Sequence, residues 1–131
     1  MTRLGIDRLR QVALPTTDVE RSLRFYNDTL GLELIERFDP PGLLFFRVGE
    51  VRLLIDGAGR VVPAGVVYFA VPDMQAAHAA LVQKGVTFEG EPHRIFVDEK
   101  GTFGAPGEAE WMAFFKDPDG NLLALSSREA T

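Results

Sequence analysis

The chain states one pattern twice. Gln11-Val-Ala-Leu-Pro-Thr-Thr-Asp18 leads into a helical run that closes at Leu30-Gly31-Leu32, and Val66-Val-Tyr-Phe-Ala-Val-Pro-Asp73 leads into another that closes at Lys84-Gly85-Val86. The two Asp are 55 positions apart and the two Gly 54. An apolar strand, an Asp at a helix start, about three turns of helix and a Gly stop recur in the same order. A duplicated strand-helix-strands unit can wrap two sheets around a cavity.

Within the first copy, residues 8–14 read as a strand ending at Pro15. Asp18 is placed to cap a helix and Glu20 suits its N-terminal dipole. Val19, Leu23, Tyr26 and Leu30 fall at helical spacing, and Gly31 sits where a left-handed cap residue is needed. Residues 32–38, 43–48 and 51–55 read as strands, broken by Pro40-Pro41-Gly42 and by the hairpin Gly49-Glu50. In the second copy Val66–Val71 is a strand. Asp73 caps a helix whose inner face is Met74, Ala77, Leu81 and Val82, and Gly85 ends it. Val86–Glu89, Trp111–Lys116 and Leu122–Ser126 read as the remaining strands. Asp117-Pro-Asp-Gly-Asn121 is a strong turn. Asp98–Glu110, rich in Gly and acid, reads as a long mobile loop. The expected organisation is one domain over 1–131, with module one at about 8–57 and module two at about 65–128.

Bulk properties narrow the function classes. A net charge of −5 disfavours nucleic acid as a partner, since phosphate binding needs a basic face. The absence of cysteine excludes disulfides, thiolate catalysis and Cys-zinc sites. No apolar run reaches the ~20 residues of a membrane span, and Met1–Asp7 lacks a signal-peptide core, so the expected location is the cytoplasm.

Gln11-Val-Ala-Leu-Pro, Asp18, Phe25-Tyr-Asn-Asp-Thr-Leu-Gly-Leu32 and the late Phe114-Phe-Lys-Asp-Pro-Asp-Gly-Asn-Leu-Leu123 together resemble the vicinal oxygen chelate superfamily. That group includes glyoxalase I, extradiol dioxygenases and bleomycin-resistance proteins. The resemblance implies an α+β fold of two βαβββ modules forming a curved, partly open barrel, in a homodimer. It also implies a divalent metal held by the first residue of each module's opening strand and by a carboxylate in each module's last strand. Carried over, those positions give Gln11, Val66, a site at or near Ala124, and a strand, Val51–Ile55, whose polar residue is Arg52. Gln11 offers an oxygen. Val66 and Ala124 offer nothing, and Arg52 would repel a metal. The expectation is therefore no cofactor and no metal at the family positions. An unusual site from Gln11, His93 and Glu108 or Glu110 is the alternative.

Four residues are the candidate ligand-binding set: Gln11, Arg52, His93 and Trp111. Strand alternation puts Gln11 and Ala13 on the face opposite Val12 and Leu14. Arg52 reads either as a surface pair or as an anion clamp. His93 is the candidate catalytic acid–base residue, and Trp111 flanks the glycine-rich loop, which would act as a lid. His78 reads as a helix-packing residue, and Phe45, Phe46 and Tyr68 as wall. Two functions fit. One is a bleomycin-resistance-like protein that binds a small aromatic or cationic molecule without turnover. The other is a lyase, isomerase or dioxygenase-type enzyme using a relocated metal or His93.

Overall fold

The computed structural model describes residues 5, 8–9, 11–59 and 66–131. The chain divides into two compact units, Met1–Ala64 and Gly65–Thr131. Each is a βαβββ module.

Unit one runs β1 (Gln11–Pro15), α1 (Val19–Leu23, continuing as a π-helical segment Arg24–Thr29), β2 (Glu33–Phe38), β3 (Leu43–Val48) and β4 (Val51–Asp56). Its sheet order is β1-β4-β3-β2, with β1 parallel to β4 and the other pairs antiparallel. Unit two runs β5 (Val67–Ala70), α2 (Met74–Gln83), β6 (His93–Asp98), β7 (Glu108–Lys116) and β8 (Leu122–Ala130), in the matching order β5-β8-β7-β6. Residues 60–65, between the two modules, lie outside the described residues.

The helices start for the same reason. Asp18 and Asp73 sit in extended backbone, and each carboxylate accepts an N–H of the first turn, from Arg21 at 3.0 Å and Ala76 at 3.1 Å. They end differently. Val86 N–H donates to the Leu81 carbonyl and Gly85 N–H to the Val82 carbonyl, which is the Schellman arrangement, with Gly85 at φ +91. The first helix instead passes into π geometry, with Leu30 N–H donating to the Phe25 carbonyl; Gly31, at φ +73, follows, and Leu32 N–H donates back to the Tyr26 carbonyl. The buried face also differs from the expected stripe. Ser22 and Tyr26 are fully buried, whereas Val19, Leu23 and Leu30 are half-buried.

Each sheet has a helix-facing side that carries the core. In unit one this side holds Leu14, Leu44, Phe46, Leu53 and Ile55, with Tyr26 stacked 5.6 Å from Phe46. In unit two it holds Phe69, Phe115, Leu123 and Leu125 against Met74 and Leu81. Val82 was expected on that inner face but is exposed, because it lies about 100° around the helix from Leu81.

The strand expected at Val86–Glu89 is a single bridge, Phe88 to Phe115. Gly90, at φ +102, turns the chain before a ladder forms, and pairing with β7 is taken over by His93–Asp98. The long loop is also shorter than expected. β7 begins at Glu108, and the 99–107 connection is fastened rather than loose. The Asp98 carboxylate accepts the N–H groups of Thr102 and Phe103, both at 2.8 Å, and the Asp98 carbonyl accepts Gly107 N–H at 2.8 Å. The 117–121 turn forms as read. Asp117 accepts the N–H groups of Asp119 and Asn121 and the Asn121 side-chain amide.

Candidate functional site

In unit one the side of the sheet away from the helix is defined by register. Gln11 lies beside Arg52, which lies beside Arg47, which lies beside Glu33. The next row is Ala13, Leu54, Phe45 and Glu36, and the next ends in Leu43 and Phe38. A β-bulge between Leu34 and Glu36 brings Ile35 and Glu36 into this surface. The result is a cleft of about 390 Å³ lined by Gln11, Ile35, Glu36, Phe38, Phe45 and Arg52. Its floor is aromatic: Phe38 meets Phe45 edge to face at 5.8 Å. The Arg52 guanidinium carbon lies 5.9 Å from the Phe45 ring centroid, within cation–π range. Leu14 is buried on the opposite side, as the alternation of β1 requires.

Arg52 is exposed and has no carboxylate within ion-pair distance among the described residues. Its charge therefore stands at the cleft surface and not in a buried ion pair. Its neighbour Arg47 is paired to Glu33 at 3.5 Å. Glu36 accepts the N–H of Arg37 through its carboxylate.

In unit two, Tyr68, Ala124 and Phe114 share a row on the side away from α2, and His93, Met112 and Ser126 are near the same side. Phe114 is 6.3 Å from Tyr68 and 6.2 Å from His93 between ring centroids. His93 is exposed, with Nδ1 3.3 Å from the Glu91 carbonyl. Trp111 pairs with Arg94 and Ser127 on the opposite side of the same sheet, in line with buried Ala109, Ala113 and Phe115. The structure therefore brings Gln11 and Arg52 together but sets His93 and Trp111 on opposite faces. Counting residues back from the glycine-rich loop does not reveal this, because the bulge between Arg94 and Phe96 resets the alternation of the edge strand against β7.

The acids expected in the lid serve another purpose. Arg128 on β8 reaches Asp98 at 2.8 Å, Glu108 at 3.2 Å and Glu110 at 3.5 Å. Asp98 is 3% exposed. The Phe103 N–H, followed by the Thr102 N–H and Arg128, holds its carboxyl below the usual value, against the opposing effect of burial. The same contacts push Arg128 up, with Asp98 the largest cause. This cluster was not read from the sequence. Its signal was three acids flanking a glycine-rich turn, with one Arg near the C-terminus to balance them. His78 lies against Phe88, 4.4 Å between centroids, in keeping with a packing role.

The chain belongs to the Glyoxalase/Bleomycin resistance protein/Dioxygenase superfamily, whose family model matches residues 8–125. Among curated proteins it is 26% identical to the uncharacterized protein YraH of Bacillus subtilis (strain 168), over 90% of this chain and 96% of that one. Solved structures of the same fold include a lactoylglutathione lyase from Agrobacterium tumefaciens, at TM-score 0.71 and 21% identity, covering 94% of this chain and 95% of the other. They also include TnmS3, an antibiotic binding protein from Streptomyces sp. CB03234, at TM-score 0.70 and 23% identity, covering 95% and 98%.

The register refines which residues occupy the family's metal positions. Ala124 pairs with Tyr68 and Phe114 as Leu54 pairs with Ala13 and Phe45. Leu54, not Arg52, is thus the module-one counterpart of Ala124. Of Gln11, Leu54, Val66 and Ala124, Gln11 alone carries a donor atom, and a divalent ion needs several N or O ligands. These residues do not fit a resident metal. Among the described residues no three His, Asp or Glu lie close enough to hold one. Among them, too, no helix is long and apolar enough to cross a membrane.

Proposed function

We propose that this protein binds a small planar organic molecule without metal chemistry, in the manner of the superfamily's bleomycin-resistance members. The observation that carries this is the donor set. Three of the four family metal positions are hydrocarbon, while the cleft of unit one keeps an aromatic floor flanked by Gln11 and Arg52. A preformed apolar cleft with few polar groups is the ordinary form of a small-molecule site. The fold accommodates such a role, since TnmS3 is an antibiotic binding protein of this fold. The enzyme alternative is less well served. His93 is exposed, and Glu108 and Glu110, the carboxylates the sequence offered as its partners, are engaged by Arg128. We further propose a cytoplasmic homodimer, on the family resemblance.

The test is twofold. Protein purified without chelator is assayed for bound divalent metal and screened by thermal shift against planar aromatics, since a ligand that binds the native state raises the melting temperature. The expected result is no stoichiometric metal and a saturable shift with at least one planar compound, reduced in Phe45→Ala. One mole of metal per chain would return the protein to the enzyme class. Sedimentation of a monomer at micromolar concentration would remove the dimer.

A further inference from the structure

Arg52 is a cation with an unusual setting, and module two shows how unusual. There, Lys116 is paired to Glu89 at 3.3 Å, much as Arg47 is paired to Glu33. The position matching Arg52 is Leu122, because Leu122 lies beside Lys116 as Arg52 lies beside Arg47. The first module has therefore placed an additional positive charge on its open face where the second keeps hydrocarbon. That charge stands directly across from Arg47, and like charges directly opposite on neighbouring strands repel. Glu33 compensates Arg47, and nothing among the described residues compensates Arg52. A repulsive pair left unrelieved in the free protein does nothing for its stability. It is suited to a ligand that supplies the missing negative charge.

Resting on the binding reading above, we propose that Arg52 and Gln11 form an anion subsite at one end of the cleft, and that the ligand is a planar aromatic bearing a carboxylate. The guanidinium presents a planar fork of N–H donors that matches a carboxylate's two oxygens. Gln11, beside it on β1, adds an amide N–H donor and no charge. Phe45, whose ring centroid is 5.9 Å from the guanidinium carbon, offers its ring to the ligand's aromatic body. Phe38 and Ile35 complete the apolar wall. Glu36 sits one row on, beside Phe45, and repels an anion placed there, which favours the Arg52 row for the ligand's carboxylate. A cationic ligand, one of the two kinds expected from the sequence, would reverse this orientation and leave the Arg47–Arg52 repulsion in place.

Titration calorimetry of the full chain with three probes of one shape decides the matter: 2-naphthoate, 2-naphthamide and 2-naphthylmethylammonium. In the wild type, naphthoate should bind about five-fold tighter than naphthamide, with the ammonium weakest, and the preference should shrink as salt rises. In Arg52→Gln the naphthoate and naphthamide affinities should converge, and Arg52→Lys should restore part of the preference. Arg52 is exposed, so the variants should fold. Removing one charge of a repelling pair should leave the melting temperature of free Arg52→Gln unchanged or raised, while its shift with naphthoate falls. Equal binding of naphthoate and naphthamide, or tightest binding of the ammonium, overturns the anion subsite and leaves the binding reading standing. Binding of none of the three overturns both.

Discussion

Gly85 offers a measurement of backbone strain free of packing effects. Its φ is +91, and a Cβ built there meets no atom within 4 Å. Substitution therefore changes conformational energy and little else. A left-handed backbone costs an L-residue about 1–2 kcal/mol relative to its preferred region. Replacing Gly by Ala also removes unfolded-state freedom, which returns about 0.4–1 kcal/mol. The net expectation for Gly85→Ala is a loss of about 1 kcal/mol, which moves a urea midpoint down by about 0.5 M for a typical slope near 2 kcal/mol/M. The cap itself should persist, because the Val86 N–H to Leu81 carbonyl bond and the burial of both side chains hold it closed. The order of variants is the sharper test. Asn tolerates the left-handed region and should cost least, Ala more, and β-branched Val most. Equilibrium urea unfolding followed by circular dichroism reads all three. An Ala variant at or above the wild-type midpoint, or Asn and Val with the same midpoint, would refute the strain account.

Gly57 makes the opposite case: its backbone is unstrained, but a Cβ would lie 2.6 Å from Val19 Cγ2 and 3.0 Å from the Gly42 carbonyl oxygen. That oxygen accepts the Gly57 N–H at 2.8 Å and cannot withdraw without losing the bond, so Gly57→Ala should cost about 1–3 kcal/mol by overpacking, read as a lowered urea midpoint. Asp98 carries a pH dependence: its carboxyl is held below the usual 3.8, so its contribution is complete above that value and is lost as pH falls through the lower folded value. The urea midpoint should drop as pH falls below about 4, and Asp98→Asn should be less stable at neutral pH with a shallower acid dependence; a variant with the wild-type slope would remove Asp98 as the cause.

The modules were legible because their punctuation is local. Asp18, Gly31, Asp73, Gly85 and the 117–121 turn act through bonds to residues a few positions away, so the residue type announces the geometry. Pairing was legible where turns are tight, as at β3–β4, and illegible at the edges. β6 is an edge strand whose first four residues are exposed, so it shows no apolar alternation, and the short Val86–Glu89 run looked more like a strand than the one that forms. The π-helical segment was hidden for a related reason: the sequence sets an apolar stripe, but hydrogen-bond spacing decides which member of it faces the sheet, and Ser22 took a core position through its 2.7 Å bond to Thr16.

The candidate site shows the same division between local and non-local information. Gln11 and Arg52 could each be assigned a face by counting along one strand, and parallel pairing sets them side by side. Ile35, Glu36 and Phe38 could not, because a bulge decides their face and nothing in Leu34-Ile-Glu-Arg-Phe38 marks it. The comparison of the metal positions depended on register as well. Sequence alone reached the strand Val51–Ile55 and its polar residue Arg52, but not the position within that strand that matches Ala124. Pairing selects Leu54, two residues along the same face. The correction separates two questions that the sequence had merged. Leu54 belongs with Val66 and Ala124, positions that hold no ligand atom. Arg52 is then free of the metal comparison, and its charge calls for a different partner. A duplicated fold supplies the control for that argument within one chain: Leu122 is what the position holds when no such charge is present, so the cation at 52 marks a property of module one and not a requirement of the fold.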